Sequence, residues 1–401
     1  NVLASLGLFS QIKITPLNIS SKDNNLVNLV VSLKEKNFGT FEIGPGFRTD
    51  IGLKFSSGIR YNNVSGANRT VSVRGQVNQR LSFDSLDPER RSKKKSLLEY
   101  SALVNFIEPY VFKLPISLNT QLSASRRRFR SFDAKILRVS SIFSKVFSDA
   151  LTSSMKYQFE TITQENGTIP ERDNGSFTIG SITPSLSLDF RDNTINPTKG
   201  YLGLFSLEFA NPALLSQDKD DLKISFFKAV SRQRFYFPIH DSVILAMSVA
   251  FGAQKNLADG KKIGDDGSVR KEGNIPSIKV FRLNGVDLVR GFADDEVNRL
   301  ETGEDINDIV VENTAYFSNF KIEPRYYMGD NLAVGLFFDA GRVFVNKFDP
   351  FSQRSSVGIS FKYLTPVGTL DFDYGLKLHR RRESGSKLES PGRFHVSIGF
   401  F

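Results

Sequence analysis

The side chains able to do covalent or metal chemistry are few and scattered. The three histidines, His240, His379 and His395, lie far apart, near a turn, near a loop and on a strand. A metal site needs ligands that converge from close spacing, and none of that spacing is present. No G-x-S-x-G elbow and no G-x-x-x-x-G-K-[ST] phosphate loop occurs. The chain has no Cys, which excludes a thiol nucleophile, a thiol-ligated metal and a disulfide framework together. It also suits passage through an oxidising compartment. The acidic pairs Asp265–Asp266 and Asp294–Asp295 share one long polar stretch. Solvated carboxylates are the ordinary reading there, and weak divalent-cation binding the alternative. The sequence therefore predicts no enzyme, no cofactor and no metal.

The net charge of +10 would ordinarily raise nucleic acid as a partner. The cations collect in predicted loops instead: Arg90, Arg91 and Lys93 to Lys95, then Arg126 to Arg128, then Arg380 to Arg382. No recognition helix or zinc spacing accompanies them. Anionic lipid head groups are the expected contact, through charge attraction at a surface.

From Phe38 onward the pattern has a period of two. In Arg393–Phe401, Phe394, Val396, Ile398 and Phe400 point one way, and His395, Ser397, Gly399 and Phe401 the other. In Leu370–Leu378, Leu370, Phe372, Tyr374, Leu376 and Leu378 make an apolar face, with Asp371, Asp373, Gly375 and Lys377 opposite. No apolar run is long enough for a membrane helix, but a barrel strand crosses with only alternate residues apolar. Strands are expected to begin near Phe38, Ile51, Asn68, Leu97, Leu114, Lys135, Leu151, Phe177, Gly200, Leu222, Ser242, Val310, Asn331, Arg354, Val367 and Arg393. Their connections alternate. Lys113–Pro115, Pro238–Asp241, Met328–Asn331 and Thr365–Gly368 are short; Asp84–Ser96, Thr163–Ser176, Lys255–Ile309 and His379–Gly392 are long and polar. Short turns on one rim and long loops on the other describe an outer-membrane barrel, not a sandwich. The fold expected is all-β, a transmembrane antiparallel β-barrel of about 16 strands. An even count puts both termini on the periplasmic side. Loops at Lys93 and Arg381 then lie outside, and turns at Asp241 and Asp330 inside.

Residues 1–36 read differently. "NVLASLGLFSQIKITPL" suggests the end of a helix running into a strand, and "NLVNLVVSLKEK" a second strand, as in a partial α/β module. No signal peptide follows Asn1, and a barrel needs export, so the natural start is expected upstream.

Several motifs stand in order along the chain: "FIEPY" at Phe106–Tyr110, "DFRDNTINPTKGY" at Asp189–Tyr201, Val289-Arg290-Gly291-Phe292 within the longest loop, Phe337-Phe338-Asp339-Ala340-Gly341, "TPVGTLDFDYGLKL" at Thr365–Leu378 and the terminal "FHVSIGFF". With them, the chain resembles the superfamily of outer-membrane assembly-factor barrels of BamA, TamA and two-partner-secretion type. The resemblance covers essentially the whole chain. It implies that residues 1–36 are the remnant of a final POTRA module and 37–401 the barrel. It further implies that the loop 255–309 enters the lumen and that Arg290 docks on wall carboxylates. A guanidinium there needs partners, because an unpaired buried charge costs several kcal/mol. Parity points Asp339, Asp373 and Glu323 inward, and Gly291 would permit close approach to the wall.

Barrel closure must join the first strand to the last. Gly44-Pro45-Gly46 lies on the first, and Pro391-Gly392 precedes Phe394, Val396, Ile398, Gly399 and Phe401 on the last. Proline cannot donate to a ladder and glycine weakens a strand, so this lateral seam is expected to pair weakly; a rim bulge is the alternative. The resemblance implies a protein that folds and inserts client β-barrel proteins, with periplasmic chaperones and accessory lipoproteins as partners. A TamA-like or two-partner-secretion translocation pore is one alternative, and a passive sixteen-stranded porin another.

Overall fold

The computed structural model describes residues 7–16, 29–79, 98–129, 132–165, 175–218, 222–258, 275–283, 285–298, 311, 313–329, 331–365, 368–381 and 388–398. Strands β1 (Phe9–Pro16) and β2 (Leu29–Glu35) pair antiparallel as a separate two-stranded sheet. Ile12 stands opposite Leu33 and Ile14 opposite Val31, so one face of this hairpin is apolar. The helix end expected before β1 falls on residues outside those described. What is described there is a strand pair, and no α/β module is seen.

The rest is a closed antiparallel barrel of 16 strands. In order these are β3 Gly39–Arg48, β4 Gly52–Val64, β5 Arg69–Gln79, β6 Leu98–Glu108, β7 Ser117–Arg128, β8 Asp133–Ser148, β9 Leu151–Glu165, β10 Gly175–Asp189, β11 Gly200–Ala210, β12 Phe226–His240, β13 Val243–Asn256, β14 Thr314–Met328, β15 Leu332–Val345, β16 Arg354–Thr365, β17 Gly368–Lys377 and β18 Gly392–Ile398. Every expected start lies within four residues of an observed one. Among the described residues no helix is long and apolar enough to cross a membrane; the barrel crosses with its strands.

The alternation works as expected. Leu336, Phe41, Ile59, Tyr61 and Val73 are exposed on the outer face, where each finds lipid. Their neighbours in sequence turn into the lumen. The connections between strands depart from strict alternation: 49–51 and 129–132 are short although they lie on the long-loop rim, and 190–199 is long although it lies on the short-turn rim. The long connection runs over 257–313 rather than 255–309, because β13 continues to Asn256 and β14 begins at Thr314.

The lumen beneath the long-loop rim is packed. Ile275, Val280, Phe281, Leu283, Val289, Phe292 and Val297 of this connection meet inward Ile136, Ile162, Phe177, Ile179, Phe226, Phe317 and Val343 in one buried cluster. Each such side chain contributes about 1.5–3 kcal/mol on leaving water. A hydrophobic core inside a membrane barrel is what lets a loop of this length hold one position.

Candidate functional site

Three wall strands present the carboxylates. On β14, β15 and β17, Glu323, Asp339 and Asp373 occupy lumen positions, and all three are buried. Arg290 of the lumen loop, itself only 2% exposed, is aimed at them. Its Nε donates to Asp339 Oδ2 at 2.7 Å and Nη2 to Asp339 Oδ1 at 2.9 Å, a bidentate fork. Nη1 reaches Glu323 Oε2 at 2.6 Å and Asp373 Oδ1 at 3.4 Å. The backbone N–H of Arg290 also donates to Asp339, and the Ser356 hydroxyl donates to the Arg290 carbonyl. The guanidinium lies 3.6 Å from the centre of the Phe337 ring, a cation over a π face. Burial alone would lower the Arg290 pKa, but Asp339, then Glu323 and Asp373, hold it above its ordinary value. The second oxygen of Glu323 is taken by Arg325 at 2.7 Å.

The flanking residues explain the motif. Gly291 has φ +91, a conformation that disfavours side chains, and a Cβ there would lie 2.9 Å from the Gly375 carbonyl carbon. On the other side, a Cβ on Gly375 would lie 2.6 Å from the Gly291 nitrogen. Two glycines therefore let loop and wall backbones touch. A Cβ on Gly341 would come 2.8 Å from Val289 Cγ2, so the last residue of the Phe337–Gly341 motif makes room for the first residue of the loop tetrapeptide. Phe292 is fully buried, with the cations of Arg354 and Lys377 4.7 and 5.2 Å from its ring centre. Those are in turn paired with Glu389 and Glu296, each at 2.6 Å.

A second anchor was not expected from the sequence. Lys279 of the same loop bridges Glu160 on β9 and Glu208 on β11, the latter at 3.1 Å. Arg138 supports Glu160 at 2.8 Å, and Lys228 donates to the Lys279 carbonyl at 2.8 Å. Burial would lower the Lys279 pKa, but Glu208 and Glu160 raise it. The usable signal was Glu160 at an inward position of β9, between Gln158 and Ile162. A carboxylate in that row needs a cation, and the loop carries Lys279.

Among the described residues, the register between β18 and β3 covers Ser397 opposite Arg48 and Ile398 opposite Phe47. One further backbone bond, Thr49 N–H to the Val396 carbonyl, is 3.1 Å. By contrast, β3 pairs with β4 from Gly39 opposite Tyr61 to Arg48 opposite Gly52. The Gly44-Pro45-Gly46 run is inside β3 and keeps its pairing to β4, Pro45 opposite Phe55. Gly399 and Phe401 lie outside the described residues, while Phe394 is exposed on the outer face.

A family model described as the Omp85 superfamily domain matches residues 63–401. The chain belongs to the Omp85 superfamily. Among curated proteins, this Omp85 barrel is 22% identical over 402 residues to "Outer membrane protein assembly factor BamA" of Nitratidesulfovibrio vulgaris, covering 98% of the chain and 45% of that protein. It is 21% identical over 441 residues to the protein of the same name from Neisseria meningitidis, covering 98% and 51%. The chain thus spans about half the length of these relatives. Among solved structures, it is similar to BamA from Haemophilus ducreyi lacking POTRA domains 1–3, with TM-score 0.71, 15% identity, and 99% and 76% of the two chains covered. CdiB from Acinetobacter baumannii follows the same fold at TM-score 0.56 and 13% identity, with 99% and 66% covered. With this membership and fold, the chain is an outer-membrane β-barrel.

In the Omp85 barrel the expected site residues fall into two groups. Val289, Arg290, Gly291 and Phe292 come together with Asp339, Glu323 and Asp373, and Asp339 is the main partner. The seam residues Gly44, Pro45, Gly46, Phe394 and Val396 are separate from that cluster. His395 joins the two, since its Nε2 accepts from the Gly291 N–H at 2.9 Å. Sequence reading placed His395 on a strand and assigned it no partner. Among the described residues no cluster of His, Asp and Glu forms a metal site.

Proposed function

We propose that this barrel is an outer-membrane assembly factor that folds and inserts client β-barrel proteins through the β3–β18 seam. The observation that carries the reading is the seam itself. Gly39–Gly46 of β3 is fully paired to β4 but has no partner on its other side among the described residues. A strand edge with free N–H and C=O groups templates pairing with another chain. An incoming strand gains ladder hydrogen bonds there at once, inside a medium that offers none. The packed core under the long-loop rim also suits a protein that works at its side more than one that conducts through its middle. Relatives named as assembly factors agree with this reading. It involves no covalent step and no cofactor.

Further parts of the proposal follow from the same architecture. Both ends of the barrel chain lie on the short-turn rim, which we assign to the periplasm. The β1–β2 hairpin is read as the remnant of a POTRA module, through which periplasmic chaperones and accessory lipoproteins would deliver clients. Lipopolysaccharide meets the basic long-loop rim. The second reading, a TamA-like or two-partner-secretion pore that passes a polypeptide through the lumen, is favoured by the polar β4–β6 wall, where Arg60 and Arg74 face the lumen and stay exposed. A passive porin has no specific observation in its favour.

A disulfide lock tests the proposal. Phe47 and Ile398 are Cα partners across the seam, and a disulfide spans Cα separations of about 4.4–6.8 Å. With Phe47→Cys and Ile398→Cys crosslinked in proteoliposomes, client insertion should stop and return on reduction. Undiminished insertion with complete crosslinking overturns it, and polypeptide passage indifferent to the lock moves the reading to the pore.

A further inference from the structure

Among the described residues β3 and β18 pair at two register positions, and both strands also hold the lumen loop. Arg48, at the end of β3, pairs through Nη2 with Asp287 Oδ2 at 3.0 Å. His395, on β18, accepts from the Gly291 N–H at 2.9 Å. The two loop positions are four residues apart and lie on opposite sides of the seam. Between them the loop is fixed to the wall. Lys321 donates to the Asp287 carbonyl at 2.6 Å, Asn319 Nδ2 to the Leu288 carbonyl at 2.7 Å, and Arg290 is locked on Asp339. On the β3 side, Asp50 grips Arg48 at 2.9 and 2.6 Å and aims its guanidinium.

We infer that segment 287–291 is the clasp of the seam, with Arg48 and His395 as its two positioning residues. The loop gives each edge strand a fixed point in addition to the β3–β18 ladder. Moving β3 away from β18 breaks the Arg48–Asp287 pair, and moving β18 breaks the Gly291–His395 bond. The two arms differ in strength. Asp287 is 53% exposed, and a pair in contact with water is weak. His395 is 2% exposed, so breaking its bond strands a buried acceptor, and the Gly291 N–H with it. The seam therefore releases on the β3 side first, while β18 stays with the loop. This deepens the insertion reading above, because it rests on the seam being the part that opens.

The chain has no Cys, so paired spin labels can be placed cleanly. Phe41 and Phe394 are exposed on the outer face of β3 and β18 and belong to neither arm. In the labelled Phe41→Cys/Phe394→Cys protein in bilayers, pulsed-resonance distances report seam separation. Arg48→Gln and Asp287→Asn should each raise the long-distance population about twofold to fivefold, the range an exposed pair supports. The double variant should add little to Arg48→Gln, since that change already removes the Arg48–Asp287 pair along with the Asp50 fork. Asp287→Asn changes one half-exposed atom and keeps the fold. Unmoved distances in both single variants overturn the clasp, as does strict additivity in the double. The locked-seam insertion assay separates this from the functional reading. If the lock blocks insertion but the variants leave distances unmoved, the clasp fails and insertion through the seam stands. If the variants open the seam and locked protein still inserts clients, the clasp stands and the insertion reading fails.

Discussion

Arg290 and Asp339 are 49 residues apart and meet through three hydrogen bonds, two from the guanidinium and one from the Arg290 backbone. Asp339 is fully buried, so the pair is a single unit of charge and geometry. The flexible part is the loop and the fixed part is β15. Together they decide where the loop stops.

The first prediction follows from that unit. Arg290→Ala should destabilise the barrel by up to about 3–5 kcal/mol, the cost of stranding a buried charge. Asp339→Asn should cost nearly as much, Glu323→Gln a comparable amount because it leaves Arg325 as well as Arg290 Nη1 without that carboxylate, and Asp373→Asn least because its contact is 3.4 Å. The double variant Arg290→Ala/Asp339→Asn should cost less than the sum of the two singles. Urea unfolding in detergent measures all of these, and simple additivity would show that the pair does not act as a unit.

The second prediction concerns backbone approach. Gly375→Ala puts a methyl group 2.6 Å from the Gly291 nitrogen, with no flexible side chain able to give way. The loop should leave the wall, and trypsin should cut at Arg290 and Arg282 in the folded barrel. Gly75→Ala, which meets nothing within 4 Å, should leave the digestion pattern unchanged. Resistance in the Gly375 variant equal to the parent would show that the loop docks without this contact.

The third prediction concerns the opposite wall. Lys279→Met removes the cation between Glu160 and Glu208. The loss should be smaller than at Arg290, since Arg138 stays on Glu160. Adding Glu208→Gln should restore part of it by removing an unpaired buried carboxylate. Thermal unfolding of the two variants is the check, and a Lys279→Met protein as stable as the parent would mean that Arg290 alone holds the loop.

The fourth prediction is topological. Phe351, in the connection 346–353, is 95% exposed on the long-loop rim, and Asp241 sits in the turn between β12 and β13 on the other rim. An impermeant maleimide applied to intact cells should label Phe351→Cys and not Asp241→Cys. The reverse pattern would invert the assigned orientation. Lys93 and Asp330 mark the same two rims in sequence, but they lie outside the described residues.

The face of each strand was legible in the sequence because the period of a strand is two. Asp339 beside Phe338, and Asp373 between Phe372 and Tyr374, can point only inward if the aromatics meet lipid. Strand number followed for the same reason, with turn residues marking each reversal. Height along the barrel is a different quantity. It depends on tilt and stagger accumulated from strand to strand, and no local pattern records that sum. Tertiary structure alone therefore decided that Asp339 takes the fork while Asp373 stands at 3.4 Å, that Gly375 faces Gly291, and that Lys279 finds Glu160 and Glu208 across the lumen. It also decided the seam. Gly44-Pro45-Gly46 suggested a weak strand, but β3 keeps its ladder with β4 through those residues. At the junction with β18, among the described residues, the stagger brings Phe47 and Arg48 level with Ile398 and Ser397. The sequence alone determined which side chains enter the lumen; closure of the barrel determined which of them meet.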